Sequence, residues 1–268
     1  MLTEFMMDSG AYLAWKRDTI IDVAAYCTFL HANQYVDVYI NVDEINPRDP
    51  AESGLRSYQN FLTMRQRGLD PMPVYHVRED WDLLRRYLDL GCAYIGLAGS
   101  SSRGECEPHY EGCFSIIANS GCRVRVHAFG DSVRERLRRY PFDTADGATW
   151  ILRSMRYTDM SRTAQANDDL AKFAERVYRQ AHTYHRLELE VRDVRPDFVY
   201  YFGFNPIQRW QLAALKVVGH RHGLASWYGM SPRAGDILRR LIVAPDSVAD
   251  FYAIELRMLE AGRERCRR

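Results

Sequence analysis

The chain has 268 residues, 47% of them hydrophobic and 26% charged, an ordinary composition for a globular protein. Its 36 Lys+Arg and 35 Asp+Glu leave a net charge of +1, which excludes a global attraction to polyanions and leaves only a local basic patch as an electrostatic route to nucleic acid. No run approaches the roughly eighteen apolar residues of a membrane helix, and no basic segment precedes an apolar stretch at the start, so the expectation is a cytoplasmic protein with no membrane partner.

In chain order, apolar runs of strand length fall at 2–7, 36–42, 73–77, 93–98, 124–129, 142–146, 198–203 and 224–228. Most are continuous rather than alternating, the pattern of strands buried on both faces of a parallel sheet. Helical periodicities lie between them. Ile20 to Leu30 carries one apolar face behind Asp18, which is placed as its N-cap. Ser53–Arg67 stops before Gly68 and Trp81–Leu88 before Gly91, glycines that suit helix C-termini. Asp131 and Ser132 stand as caps before VRERLRRY, and helical stretches at 168–188, 208–220 and 247–260 complete the set. The segment 99–122 reads as loop: Gly99-Ser-Ser-Ser-Arg-Gly104 is connector-like and lacks P-loop spacing. Alternating strands and helices predict an α/β protein, and eight strands in this length predict a single (β/α)8 TIM-type barrel spanning 1–268 as one domain.

Six cysteines, at 27, 92, 106, 113, 122 and 266, include no CxxC pair. Cys106, His109, Cys113 and Cys122 share the stretch read as loop, but their spacing fits no common zinc module. No metal is expected, and the thiols are expected to be free.

Polar residues recur where the strands end. Asp8-Ser9-Gly10 follows the first run, Asp43 follows VDVYI, His76 follows PVY, His127 closes RVRV, and Asp146 lies in FDTADG. In a β/α barrel these strand ends build the active site. Two carboxylates in one pocket are the equipment for acid–base and covalent chemistry at an anomeric carbon, one as nucleophile and one as proton shuttle. A third can accept hydrogen bonds from the N–H groups of a purine-like base. Each aspartate is also a good helix cap, and Asp143 competes with Asp146 for the role at strand six.

DSGA with Tyr12 and Trp15, then VDVYINVDEINP, PVYHVRED, YIGLAGS, VHAFG and YPFDTADGATW, resemble the tRNA-guanine transglycosylase superfamily in order and spacing. The likeness is greatest to its compact deazaguanine DNA transglycosylases, carried by phages and some bacteria, and runs from about residue 5 to 152. It implies a β/α barrel that exchanges a base without breaking the sugar–phosphate backbone. No cofactor is implied. The implied partners are DNA (or tRNA) and a free 7-deazaguanine such as 7-cyano-7-deazaguanine, with accessory modification proteins beside them; a phage protein of this kind would work in the host cytoplasm.

By position, Asp8 resembles the acid/base aspartate of that family and Asp146 its nucleophile. Ser9 and Gly10 would line the base pocket, Asp43 would read the purine edge, and His76, Gly96 and His127 would contact the base. Arg103, Arg153, Arg156 and Arg233 are the candidates for phosphate contacts. Two features depart from the tRNA enzymes: Ala11 replaces the second glycine of their motif, and their Cys-rich zinc module is missing. The late YYFGFN and ASWYG segments read like the first two units of related barrels moved to the C-terminus, a circular permutation. Three other readings stay open: a tRNA-guanine transglycosylase, a barrel glycoside or nucleoside hydrolase with water as acceptor, and a non-catalytic nucleic-acid-binding subunit. Three carboxylates oppose the last, because binding a polyanion favours removing negative charge.

Overall fold

In the computed structural model of the chain, residues 6–34, 36–99, 103–147, 180, 183–204 and 241–243 are described. The apolar runs become strands β1 (Met6–Met7), β2 (Val38–Tyr39), β3 (Val74–His76), β4 (Tyr94–Ala98), β5 (Arg125–Phe129), β6 (Thr144–Gly147), β7 (Val199–Phe204) and β8 (Leu241–Val243). They form one eight-stranded sheet in the order β2-β1-β8-β7-β6-β5-β4-β3, with every neighbouring pair parallel. Ile40, just past β2, makes a further parallel bridge to Met72, just before β3. There Asn41 N donates to Met72 O, and Met72 N to Tyr39 O, each at 2.9 Å. The bridge links the strands at the two ends of the order.

Successive residues of a strand point to opposite faces, and both faces here are apolar for most of their length. Met7, Tyr75, Ile95, Leu97, Val126, Ala128, Ala145 and Tyr200 pack into the large core shared with the helices. Met6, Ile40, Met72, Val74 and Tyr201 form a second cluster, with Tyr94, Ala98 and Phe129 packed against it. Both faces being buried explains why the strands read as continuous rather than alternating runs. It also sorts the chemistry: His76, Gly96, His127 and Asp146 all fall on the parity of the second face.

The helices up to β6 are α1 (Ala11–Arg17), α2 (Val23–Ala32), α3 (Pro50–Gln66), α4 (Trp81–Asp89), α5 (Arg103–Ser120) and α6 (Arg134–Arg139). Asp49 and Asp80 cap α3 and α4 through Glu52 N and Asp82 N, leaving Leu83, Leu84, Tyr87 and Leu88 to bury one face of α4. Gly68 and Gly91, at φ 79° and 73°, follow the ends of these helices as expected. Among the described residues no helix is long and apolar enough to cross a membrane.

Four expectations need correction. Asp18 does not cap α2: it ends the unforeseen α1 at φ 52°, and Asp22 takes the cap, accepting from Ala24 N at 2.8 Å and Ala25 N at 3.1 Å. Asp131 acts one turn outside α6, accepting from Val133 N and gripping Arg136 through two hydrogen bonds. Most of the stretch read as loop is the 18-residue helix α5, which buries Cys106, His109, Tyr110, Cys113 and Ile117 along one face. Finally, Leu241–Val243 is a strand of the sheet that the sequence did not single out, while the predicted strand at 224–228 lies outside the described residues. Of the stretch 168–188, helix is described at 180 and again from 183, running to 192; the predicted helices at 208–220 and 247–260 lie outside the described residues.

Candidate active site

The turn after β1 begins the site. Gly10, at φ 86°, takes a left-handed conformation that would strain any side-chain-bearing residue, and its N–H donates to Asp8 Oδ1 at 3.3 Å. The tight turn drives Ser9 inward, where its hydroxyl donates to Asp43 Oδ1 at 3.1 Å. Asp43 Oδ2 in turn lies 2.8 Å from His76 Nε2 at the end of β3. Three strand ends are thereby tied together by one buried carboxylate whose two oxygens each hold a protein donor. Behind it, Asn41 Nδ2 donates to Ser57 O and Ser57 Oγ accepts from Glu44 N, both at 2.8 Å, which pins this loop to α3.

Glu79 supports the same half. It is buried, accepts from His76 N at 3.1 Å through Oε2, and leaves Oε1 with no hydrogen-bond partner. Burial raises its carboxyl to about 7, with the His76 charge pulling the other way. For His76, burial favours the neutral ring, but the hydrogen bond and charge of Asp43, with Glu79 beyond, outweigh it and raise the pKa. Gly54 permits the packing: a Cβ there would lie 2.7 Å from Leu83 Cδ1 and 3.0 Å from the Glu79 carboxyl carbon.

The second half is built on β5 and β6. Asp146 Oδ1 accepts from Gly130 N at 2.7 Å and lies 3.3 Å from His127 Nε2. His127 Nδ1 lies 2.7 Å from Thr144 Oγ1, itself 2.5 Å from the Tyr94 hydroxyl. His127 and Thr144 are fully buried, and the rings of Phe129, Tyr201 and Tyr94 stand edge-on around the imidazole at 4.4, 6.0 and 6.4 Å. Asp143, the rival of Asp146, lies at the opposite end of the strand, where its Oδ2 accepts from Val126 N at 2.7 Å.

Asp8 stands in the field of both halves. Burial raises its carboxyl from 3.8 to about 7, and the charges of Asp43 and, more weakly, Asp146 add to the rise, while the Gly10 and Ser9 N–H groups oppose it. Near neutral pH such a group is half protonated, the condition that suits a residue which must both give and take a proton. Beside Asp43 opens a cleft of about 710 Å³, lined by Trp15, Ile21, Val42, Glu44 and Arg56 among others.

The structure thus brings together Asp8, Ser9, Gly10, Asp43 and His76 on one side and His127 and Asp146 on the other. Gly96 and His127, expected as base contacts, lie on the second face of the sheet among close neighbours. The space a side chain on Gly96 would fill holds the Phe129 ring, 2.2 Å from an ideal Cβ. His127 has both ring nitrogens engaged and no exposed surface. Arg103 opens α5, and Arg153, Arg156 and Arg233 lie outside the described residues. Sequence reasoning missed Glu79, Tyr94 and Thr144; the shared strand parity of Tyr94, His127 and Thr144 was the available signal for the last two. Cys106, His109 and Cys113 are core residues of α5, with burial lowering His109 to about 4, and among the described residues no group of three or more His, Cys, Asp or Glu is arranged to hold a metal. Comparison with family models, with curated proteins and with solved structures gave no match to this chain.

Proposed function

We propose that the chain is a base-exchange glycosyltransferase that replaces guanine in nucleic acid, DNA in our reading, with a 7-deazaguanine, on a parallel sheet closed into a (β/α)8 barrel. The observation that carries the reading is the convergence of Asp8, Asp43 and Asp146 from three strand ends, close enough for the last two to raise the pKa of the first. The Ile40–Met72 bridge between the ends of the strand order supports closure.

The steps balance on these residues alone. Asp146 attacks the sugar C1′ as C1′–N9 breaks, and the departing guanine takes the proton of Asp8. This leaves an aspartyl-glycosyl ester and an Asp8 carboxylate. The incoming base then gives its N9 proton to Asp8 and attacks C1′, releasing Asp146. Asp43 reads the purine N–H groups: each of its oxygens has a lone pair left after binding Ser9 or His76. Asp143 is committed to the Val126 amide and does not share the nucleophile's end of the strand. In a duplex the target base must leave the stack, so single-stranded DNA should be the better substrate.

The test is to incubate the protein with radiolabelled guanine and, separately, single-stranded DNA and tRNA. Label entering DNA supports the reading; label entering tRNA alone keeps the chemistry and moves the polymer. Release of base with no uptake indicates water as acceptor, a hydrolase.

A further inference from the structure

The chain Tyr94–Thr144–His127–Asp146 runs through the sheet on the face that bears the site, with links of 2.5, 2.7 and 3.3 Å. A neutral imidazole has one N–H, and which nitrogen bears it is set by the partner at the other. A carboxylate accepts and does not donate, so a lone pair on Nε2 facing Asp146 Oδ1 at 3.3 Å would be repulsive. The Nδ1–H tautomer is therefore the wrong one, yet nothing in the imidazole itself forbids it. At Nδ1 stands a hydroxyl that can donate, and that hydroxyl has a phenol at 2.5 Å able to donate to it. The ring cannot turn away, because Phe129, Tyr201 and Tyr94 surround it. All donors then point one way: Tyr94 O–H to Thr144 Oγ1, Thr144 O–H to His127 Nδ1, and His127 Nε2–H to Asp146.

We infer that Thr144, oriented by Tyr94, is a positioning residue that holds His127 as the Nε2–H tautomer, so that Asp146 keeps Oδ1 anchored and presents Oδ2 for covalent bond formation. Among the described residues both donors to Asp146, His127 and Gly130 N, go to Oδ1. Anchoring one oxygen fixes the carboxylate plane without covering the attacking atom. It also defines which C–O bond forms and later breaks, since the glycosyl ester is made through Oδ2 alone. His127 accordingly acts through Asp146 and does not contact the base. The inference rests on Asp146 as nucleophile, but its first readout does not need activity.

That readout is the ¹⁵N NMR spectrum of the free protein labelled on histidine, with His127 assigned by its loss in His127→Asn. The expected result near neutral pH is a protonated Nε2 and an unprotonated Nδ1. Thr144→Val, which keeps the shape and removes the hydroxyl, should shift His127 toward the Nδ1–H form or a mixture; Thr144→Ser should restore the wild-type pattern, and Tyr94→Phe should fall between. In single-turnover trapping of the glycosyl adduct on a guanine-containing single strand, Thr144→Val should slow attack about tenfold or more with substrate affinity unchanged, and Thr144→Ser should recover most of the rate. A wild-type His127 protonated at Nδ1, alone or as imidazolium, overturns the inference, as does a Thr144→Val protein with an unaltered spectrum. If the spectra behave as expected but wild-type protein forms no adduct with any nucleic acid, the histidine lock stands and the transglycosylase reading falls.

Discussion

The two carboxylates at the heart of the site, Asp43 and Asp146, are held in opposite ways. Asp43 sits in a loop after β2, with a donor on each oxygen and a second buried carboxylate, Glu79, one residue layer behind. Asp146 sits within a strand, with both its donors among the described residues on the same oxygen and uncharged hydroxyls behind its histidine. A carboxylate held by one donor on each oxygen, with a lone pair to spare on both, is a fixed acceptor surface suited to recognising N–H groups. One anchored on a single side keeps an oxygen available for bonding to carbon. With two donors each, these residues of the same type differ in the placement of those donors, and so in which oxygens are left to act.

The largest effect that would sharpen this contrast is expected from Asp146→Asn. An amide cannot form the glycosyl ester, so exchange should fall about 10⁴-fold or more, with the melting temperature little changed. Near wild-type exchange from this variant, measured by label uptake, would break the comparison outright.

Asp8→Asn should lower exchange by about 10²–10⁴-fold, the range for losing a general acid–base group. It has a second signature in stability. The folded-state pKa of Asp8 is raised from 3.8 to about 7, so the stability tied to its protonated form is fully present below about 4 and is lost as pH rises through about 7. The variant's advantage in melting temperature over wild type should therefore grow from about pH 4 to about pH 7 and then level off. A pH-independent difference would show that burial and the two neighbouring charges do not raise the Asp8 carboxyl.

Asp143→Ala probes the other end of β6. Losing its acceptor for the Val126 amide should cost about 1–3 kcal/mol of stability, read by chemical denaturation, and leave exchange per folded molecule intact. A selective loss of exchange would move the nucleophile three residues upstream. The smallest effect concerns the polymer. If Arg153 and Arg156 contact phosphates, the double alanine variant should reduce the slope of log affinity against log salt by about 0.7 per contact on single-stranded DNA, with affinity for free base unchanged.

Much of this was legible in the residues, for reasons the fold makes plain. Strands buried on both faces advertise themselves as continuous apolar runs, so seven of the eight were placed within a few residues. Leu241–Val243 escaped because three apolar residues between Arg240 and Ala244 form too short a signal without partners. The α5 helix escaped for a different reason. Gly104, Pro108 and Gly112 are poor helix formers, and tertiary packing overrides them: Gly112 makes room for the Trp81 ring, 2.5 Å from an ideal Cβ, while Cys106, His109, Tyr110, Cys113 and Ile117 repeat at helical spacing along the buried face. That periodicity was present in the residues but was masked by cysteine and histidine, whose chemistry invites a reading as ligands. In the site, the aspartates stood out because charge at a strand end is unusual. Thr144 and Tyr94 did not, since a β-branched residue and an aromatic in strands look like ordinary packing.

Gly96 stands beside His127 on the neighbouring strand, and its missing side chain makes the berth for the ring of Phe129, two residues further along β5. That ring is also the nearest of the aromatic walls around His127, with centroids 4.4 Å apart. A single methyl group added at residue 96 would evict Phe129 and let water reach the imidazole edge, where it would compete for the protons that now have one destination. The dryness of a histidine on β5 is thus set by an atom that β4 does not possess.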